Sequence, residues 1–195
     1  MIADSLSAEF VFGYGSLLSW ERSPAQLRMV PGHLSGFRRA WNIAMDNMVD
    51  LPGYKYYRDP TGNRRPVFVT FLNLVPAARQ AVNGIVFEVT AQDLRELDTR
   101  ERNYERIDVT DQAAGAPAGT VWTYVGTADS QRRYERGIAA GRAVVSREYY
   151  HAVVRDFASL GAEAVAEYTA TTDPPACPIR ELEQIDLPNH PLPNL

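Results

Sequence analysis

The chain has 195 residues, 45% of them hydrophobic, which is enough for one domain with a sizeable buried core. Its 20 basic and 24 acidic side chains leave a net charge of -4, which argues against a nucleic-acid partner. Its one cysteine, Cys177, excludes an internal disulfide, and we find neither a membrane-spanning apolar run nor a signal peptide, so we expect a cytoplasmic protein without a membrane partner.

Residues 10–20 hold the first informative motif. The apolar run at residues 10–12 predicts a buried strand, and Gly13 and Gly15 then bend the chain. Glycines at these positions let successive backbone N–H groups point toward one anionic oxygen, and Ser16 adds a hydroxyl. The stretch lacks the third glycine of a dinucleotide fingerprint and the G-x-S-x-G order of a nucleophile elbow. An anion-binding loop and an ordinary tight turn remain the two interpretations.

The next part of the chain predicts a short helix, a strand and a long irregular segment. The helix begins at Ser23, where Ser, Pro and Gln are typical of a helix N-terminus, and ends at Pro31-Gly32. Residues 33–44 are rich enough in β-forming side chains for a second strand. Residues 46–66 hold three prolines and three tyrosines without any period. Long irregular segments are usually functional, so we expect either a lid over a site or a mobile surface loop.

The middle of the chain alternates strands with one helix. Further strands are predicted at residues 67–75, 81–89, 104–110 and 120–125. Gly84 is predicted to lie at a bulge or a tight bend. Thr90 and Asp93 form a capping-box pattern, which predicts a helix that runs through about Glu101.

A longer amphipathic helix is predicted from Ser146 to Gly161. Its predicted core positions are Tyr150, Val153, Val154, Phe157 and Leu160. The order of elements lacks a βαβ rhythm and favours an α+β fold, a small mixed or antiparallel β-barrel with flanking helices. We assign one domain to residues 1–170 and a Pro-rich C-terminal tail to residues 171–195, which we expect to be disordered or laid across the barrel.

One carboxylate of the first long helix shares a face with two leucines. At about 100° per residue, Leu94, Leu97 and Glu101 fall within one arc of roughly 60°. A buried carboxylate is unfavourable unless it is paired, protonated or used chemically. It is therefore either a catalytic acid or the partner of a nearby arginine, and Asp98 at the edge of the arc is a competitor. The arginines within reach are Arg100, Arg102 and Arg106.

Several short motifs, in this order, resemble those of the γ-glutamylcyclotransferase-like superfamily. They are the YGSL loop at residues 14–17, LDTRE at residues 97–101, SQRRY at residues 130–134, IAAG at residues 138–141 and EY at residues 148–149. The third is one residue longer than the S-x-x-Y segment of the superfamily. Each motif is short, and the specific feature is their conjunction over roughly residues 10–160.

The resemblance implies an intramolecular aminolysis. The free α-amine of a γ-glutamyl group attacks its own γ-carbonyl, which gives 5-oxoproline and releases an amine or amino acid. The resemblance also implies that Glu101 is the general acid and base. The substrate-binding residues that it implies are Tyr14, Gly15, Ser16, Leu17 and Tyr134. The reaction needs no cofactor, and the three histidines and one cysteine show no metal-ligand spacing, so we expect no metal site.

The resemblance does not identify the leaving half of the small-molecule γ-glutamyl substrate, which is the amine or amino acid that the reaction releases. Branches of the superfamily act on γ-glutamyl amino acids, glutathione, γ-glutamyl-ε-lysine or γ-glutamyl-protected metabolites. The glutathione branch has an R-E-x-G-G-Y pattern, whereas residues 100–104 read RERNY, which argues against a dedicated glutathione enzyme. We expect residues 46–66 to select the leaving half. The alternative function is a non-catalytic small-ligand-binding or regulatory barrel of the same fold, and the oligomeric state is open.

Overall fold

A computed structural model of the protein describes residues 8–20 and 29–188. The helix predicted from Ser23 lies outside the described residues. The strands are β1 (Glu9–Gly13), β2 (Met29–Asp46), β3 (Lys55–Arg58), β4 (Phe68–Val89), β5 (Tyr104–Asp108), β6 (Ala113–Ala114), β7 (Thr120–Gly126), β8 (Ala143–Ser146), β9 (Ile179–Arg180) and β10 (Glu183–Asp186). The α-helices are α1 (Ala91–Arg100), α2 (Ala128–Ala139), α3 (Arg147–Ser159) and α4 (Ala162–Ala170).

The main sheet is built on two long antiparallel strands, β2 and β4, and has the order β5-β7-β1-β4-β2-β6. The first strand, β1, runs antiparallel to β4 and parallel to β7, so it is covered on both edges. The opposite half of β4 pairs in parallel with β8, which in turn pairs with β9. The sheet curls into a half-barrel with the helices outside it, which confirms the predicted α+β fold.

The two strands predicted at residues 67–75 and 81–89 are a single strand, β4. The gap between them is a bulge, because four residues of β4 fall between the pairs Phe37–Pro76 and Ser35–Ala81. The bulge is exposed, and its partner strand turns there through Gly36, whose φ is +85°. The apolar pattern marked where the strand leaves the core, but the pairing of β4 with β2 continues on both sides of the bulge.

Pro31 and Gly32 lie inside β2, so the predicted helix stop at this position is wrong. They pair with Ile85 and Gly84 of β4. In the described part of the chain, the other neighbour of β2 begins its pairing only at His33, so no strand there pairs with Pro31 on that side and its missing N–H is tolerated.

Gly84 lies at a close approach of strands, and the predicted bulge at this residue is wrong. The register between β2 and β4 is continuous there. We expect Gly84→Ala to destabilise the fold by about 2 kcal/mol, because a Cβ would meet the Gly13 carbonyl oxygen and lie 2.7 Å from Phe12 Cζ. Denaturant unfolding measures this loss of stability. Gly15→Ala is the control variant, since a Cβ on Gly15 meets no atom closer than 3.6 Å. Equal losses in the two variants would contradict the packing argument.

The segment at residues 46–66 contains a strand, so the expectation of a wholly irregular segment is wrong. Residues 55–58 form β3, which pairs antiparallel with β10. The side chain of Asn47 is fully buried and brackets Tyr57, accepting from its N–H at 2.7 Å and donating to its carbonyl at 2.9 Å. The partner strand lies far along the chain, where a local pattern gives no sign of it.

The helices largely follow their sequence signals. The Thr90–Asp93 capping box is present on α1, and α3 begins after Ser146 as predicted. Leu160, predicted in the core, is 41% exposed, and a further helix, α4, follows Gly161, whose φ is +113°. None of the helices in the described ranges is long and apolar enough to span a membrane.

The Pro-rich C-terminal segment lies along the rest of the molecule up to residue 188. Cys177 and Leu182 are buried, and β9 and β10 pair with β8 and β3. Gln184, Asp186 and Leu187 of this segment line a surface groove together with Ser16 of the N-terminal loop.

Candidate active site

The loop after β1 is anchored by a tyrosine that points into the core. Tyr14 is 5% exposed, and its hydroxyl donates to the Tyr124 carbonyl oxygen at 2.7 Å. The chain then forms a short 3₁₀ helix in which the Leu18 N–H donates to the Gly15 carbonyl at 2.9 Å. Within the described part of the chain, no oxygen accepts from the backbone N–H groups of residues 15–17.

Arg39 of β2 holds the backbone of this loop. Its side chain is fully buried, and its Nε donates to the Tyr14 carbonyl oxygen at 3.1 Å. Its other nitrogens donate to Asn83 Oδ1 at 3.0 Å and to Thr171 Oγ1 at 2.9 Å, and the guanidinium lies 4.8 Å from the Phe157 ring centroid. Burial lowers the pKa of Arg39 to about 10. Arg39 is a positioning residue that fixes the loop from the core side.

A small cavity opens against the loop. It is lined by Tyr14, Gly15, Ser16, Leu17, Leu72, Glu101, Tyr104, Tyr124 and Tyr149. Its volume is about 20 Å³, which is room for about one water molecule. The fold therefore brings the predicted loop residues and the predicted catalytic acid together. Across residues 8–20 and 29–188, no cluster of three His, Cys, Asp or Glu side chains could hold a metal ion.

Glu101 enters this cavity from the C-terminal end of α1. It is the C-cap residue, and its N–H donates to the Leu97 carbonyl at 2.8 Å. Its side chain is only 11% exposed. Burial raises the pKa of Glu101, while the positive charges of Arg100 and Lys55 lower it in part. The Arg100 Nε lies 3.3 Å from Glu101 Oε1, so the carboxylate is both paired and placed in the cavity.

The other candidates for the acid or its partner are engaged elsewhere. Asp98 does not line the cavity; it accepts from the Tyr124 hydroxyl at 2.8 Å, and its Oδ2 lies 3.4 Å from Arg106 Nη2. Arg102 donates to the Pro52 carbonyl at 3.1 Å. Glu101 therefore lines the cavity, and Asp98 does not.

Tyr149 of α3 is a cavity residue to which sequence analysis gave no role. Burial raises its pKa, and the charge of Glu101 adds to the effect. A Cβ on Gly15 would lie 3.8 Å from its hydroxyl oxygen, which places that hydroxyl beside the loop. Tyr104 also lines the cavity, but its hydroxyl donates to the Leu72 carbonyl at 2.7 Å. The EY motif at residues 148–149 was the signal that could have found Tyr149.

Tyr134, predicted to bind substrate, does not line the cavity. It lies on α2, where burial and the nearby Cys177 raise its pKa. The structure thus brings together the other predicted site residues without it.

A larger groove of about 600 Å³ adjoins the cavity and shares Ser16 and Tyr149 with it. Its remaining lining residues come from the segment before and within β3, from α1 and from the C-terminal segment. They are Gly53, Tyr54, Lys55, Glu96, Thr99, Arg100, Gln184, Asp186 and Leu187. A ligand that reaches the cavity from outside can pass through this outer groove.

Comparison with known proteins gives one family and several solved structures. A family model described as gamma-glutamyl cyclotransferase, AIG2-like, matches residues 11–142, more than half of the chain. Curated proteins gave no match. A solved gamma-glutamyl cyclotransferase is similar with a TM-score of 0.51 and 14% identity, over 84% of this chain and 88% of that one. A yeast gamma-glutamyl cyclotransferase specific to glutathione is similar with a TM-score of 0.51 and 18% identity, over 83% and 97%. At such identities the likeness concerns the fold.

Proposed function

The chain belongs to the γ-glutamyl cyclotransferase, AIG2-like family, and on that premise we propose that it converts a γ-glutamyl amide into 5-oxoproline and a free amine or amino acid. One observation carries the proposal. A single cavity combines the buried carboxylate of Glu101 with the loop at residues 14–17, whose amides at residues 15–17 have no acceptor among the described residues. This combination supplies a base and a set of hydrogen-bond donors to one reacting group.

The reaction moves protons between two nitrogens of one substrate. Glu101 accepts a proton from the substrate's α-ammonium, and the freed amine attacks the γ-carbonyl carbon. The carboxylic acid of Glu101 then returns the proton to the leaving nitrogen as its bond to the γ-carbon breaks. The remaining extra proton on the ring nitrogen passes to the released amine or to solvent. Burial of Glu101 raises its pKa, so its carboxylate is a stronger base for the first of these proton transfers.

Ring closure requires little from the protein beyond the orientation of the substrate. Amine and carbonyl belong to one molecule, so they need only be held in an attack geometry. The amides of residues 15–17 are donors for the glutamyl α-carboxylate or for the oxyanion that develops on the γ-carbonyl oxygen. The hydroxyls of Ser16 and Tyr149 line the same cavity and are further donors.

Substrate binding requires the cavity to widen. A volume of about 20 Å³ does not hold a γ-glutamyl group, so walls must separate when the substrate enters. The outer groove adjoins the cavity through Ser16 and Tyr149, and it is the side from which we expect entry.

An assay for 5-oxoproline tests the function. We expect purified protein to release 5-oxoproline from γ-glutamyl-alanine, γ-glutamyl-ethylamide or both, and to release none from their α-N-acetyl derivatives, which lack the attacking amine. α-Glutamyl-alanine is the matched control, because its γ-carboxylate offers no amide to break. Binding of γ-glutamyl compounds without any 5-oxoproline would contradict the proposal and favour the non-catalytic barrel.

A further inference from the structure

The carboxylate of Glu101 has one direct polar contact. The Nε of Arg100 lies 3.3 Å from Glu101 Oε1. Among the described residues, no hydrogen bond reaches this carboxylate and no other ion pair includes it. A buried carboxylate without a cation is unfavourable in its charged form, so the contact with Arg100 favours the ionised form in the free protein.

Other titratable groups face Glu101 without contacting its carboxylate. Lys55 of β3 is the second cation that acts on Glu101, and Asp186 of β10 is the cross-strand partner of Lys55. The charge of Glu101 also acts on five tyrosines, and burial raises the pKa of each, so they are neutral at and below neutral pH. They are Tyr14, Tyr54, Tyr104, Tyr124 and Tyr149.

The two cations differ in how firmly they are held. Lys55 has the charges of both Glu101 and Asp186 acting on it, and its ammonium lies 5.1 Å from the Phe71 ring centroid. The side chain of Arg100 is 43% exposed, and among the described residues it forms no hydrogen bond and no second ion pair. The pKa of Lys55 is lowered by burial and further by the charge of Arg100, so the two cations repel each other. Arg100 is therefore the cation that can leave Glu101 easily.

The ion pair lies where the small cavity meets the outer groove. Arg100 lines the groove but not the cavity, and Glu101 lines the cavity but not the groove. Ser16 and Tyr149 line both. A substrate that enters from the groove therefore approaches Glu101 from the side on which Arg100 lies.

The proposed reaction brings another cation to the same carboxylate. Glu101 accepts a proton from the substrate's α-ammonium, so the ammonium must come within hydrogen-bond distance of its oxygens. A carboxylate that keeps Arg100 as its partner is a weaker base toward this ammonium, and two cations at one carboxylate repel each other. Exchange of one cation for the other keeps the buried charge compensated throughout.

We propose that Arg100 is a positioning residue that holds the Glu101 carboxylate only in the free protein, and that the α-ammonium of the entering substrate displaces it into the outer groove. This inference rests on the proposed function and concerns the admission of the substrate to the same site. The displaced guanidinium becomes hydrated in the groove, while Glu101 faces the ammonium that it deprotonates.

The pH dependence of two kinetic constants for γ-glutamyl-alanine separates the free protein from the complex. The acid limb of kcat/KM reports the ionisation of Glu101 in the free protein, and that of kcat reports it in the complex. Arg100→Met removes the charge that lowers the pKa of Glu101, so the acid limb of kcat/KM should move to higher pH. On that limb we expect kcat/KM to fall about fivefold below the wild type. The acid limb of kcat should not move, because Arg100 has already left Glu101 in the wild-type complex.

Two further variants complete the experiment. Arg100→Lys, which keeps the charge, should retain most of the wild-type kcat/KM profile. Arg95→Met is the matched control, since it removes an exposed positive charge of the same helix outside both the cavity and the groove and should move neither limb.

Equal movement of both acid limbs in Arg100→Met would overturn the inference, because Arg100 would then stay at Glu101 in the complex. An unmoved kcat/KM limb would overturn it as well, since Arg100 would then not act on Glu101 in the free protein. Both outcomes leave the proposed function standing. If none of the proteins forms 5-oxoproline, the proposed function fails, and this inference fails with it.

Discussion

Glu101→Gln is expected to lower kcat for 5-oxoproline formation by about 10²–10⁴-fold, the usual contribution of a general acid or base. Glutamine keeps the shape of the side chain and can still fill the cavity, but it cannot accept and return the proton. The variant should retain its far-ultraviolet circular dichroism and its affinity for 5-oxoproline, which isothermal titration calorimetry measures. A loss of kcat together with retained product binding assigns the effect to chemistry rather than to folding.

Asp98→Asn is the control for this substitution. Asp98 lies four residues after Leu94 and was the competing acid, but it does not line the cavity; it accepts from the Tyr124 hydroxyl and lies beside Arg106. We expect its activity to stay within about threefold of the wild type. Activity of Glu101→Gln within tenfold of the wild type, with a large loss in Asp98→Asn, would reverse the assignment.

Glu101→Gln should also change how the stability of the protein depends on pH. Burial raises the pKa of Glu101 in the folded protein above its ordinary value of 4.5. The folded state thus holds this proton more tightly than the unfolded state, and the stabilisation is fully present below pH 4.5 and is lost as the pH rises through the folded pKa. Relative to Glu101→Gln, the wild type should become less stable over that window in denaturant titrations at several pH values. A difference that is constant with pH would contradict the raised pKa.

Gly15→Ala is expected to lower kcat/KM by about 100-fold, because small displacements of a reacting group have effects of this size. A Cβ at this position would lie 3.6 Å from Leu72 Cδ2 and 3.8 Å from the Tyr149 hydroxyl, which are ordinary contacts. The methyl group would thus fit the resting structure but occupy the cavity that the γ-glutamyl group must enter. Steady-state kinetics and denaturant unfolding of the same preparation separate the two effects.

Gly84→Ala is expected to affect stability rather than activity, because its methyl group would meet β1 and not the cavity. We expect Gly15→Ala to lose more activity than stability, and Gly84→Ala to lose more stability than activity per folded molecule. Unaltered kinetics in Gly15→Ala would reduce the YGSL loop to an ordinary turn.

Much of the site followed from local signals. The apolar run at residues 10–12, the two glycines after it and the Thr90 capping box act over a few residues, so the sequence alone predicts β1, its loop and α1. The position of Glu101 on the leucine face also followed from helical spacing. Its backbone has φ -85° and ψ 53°, outside the helix, yet one residue past the end is close enough for the spacing to hold.

The rest depends on contacts between distant residues. Arg38 and Arg39 are adjacent in the sequence, but only Arg39 is buried, because its acceptors come from the loop, from β4 and from the residue after α4. Tyr149 lines the cavity because α3 packs beside the loop, whereas Tyr134 lies on α2 and is not among the lining residues. No local pattern in the sequence encodes these neighbours.

The outer wall of the groove is formed by two short ribbons, residues 53–58 and 183–188. Backbone hydrogen bonds join them, from the Leu187 N–H to the Tyr54 carbonyl at 2.7 Å and from the Gly53 N–H to the Pro188 carbonyl at 2.9 Å. Neither ribbon contributes a residue to the lining of the inner cavity. On the proposed function, a library of variants confined to these ribbons should therefore retarget the enzyme to new leaving amines without rebuilding its reaction centre.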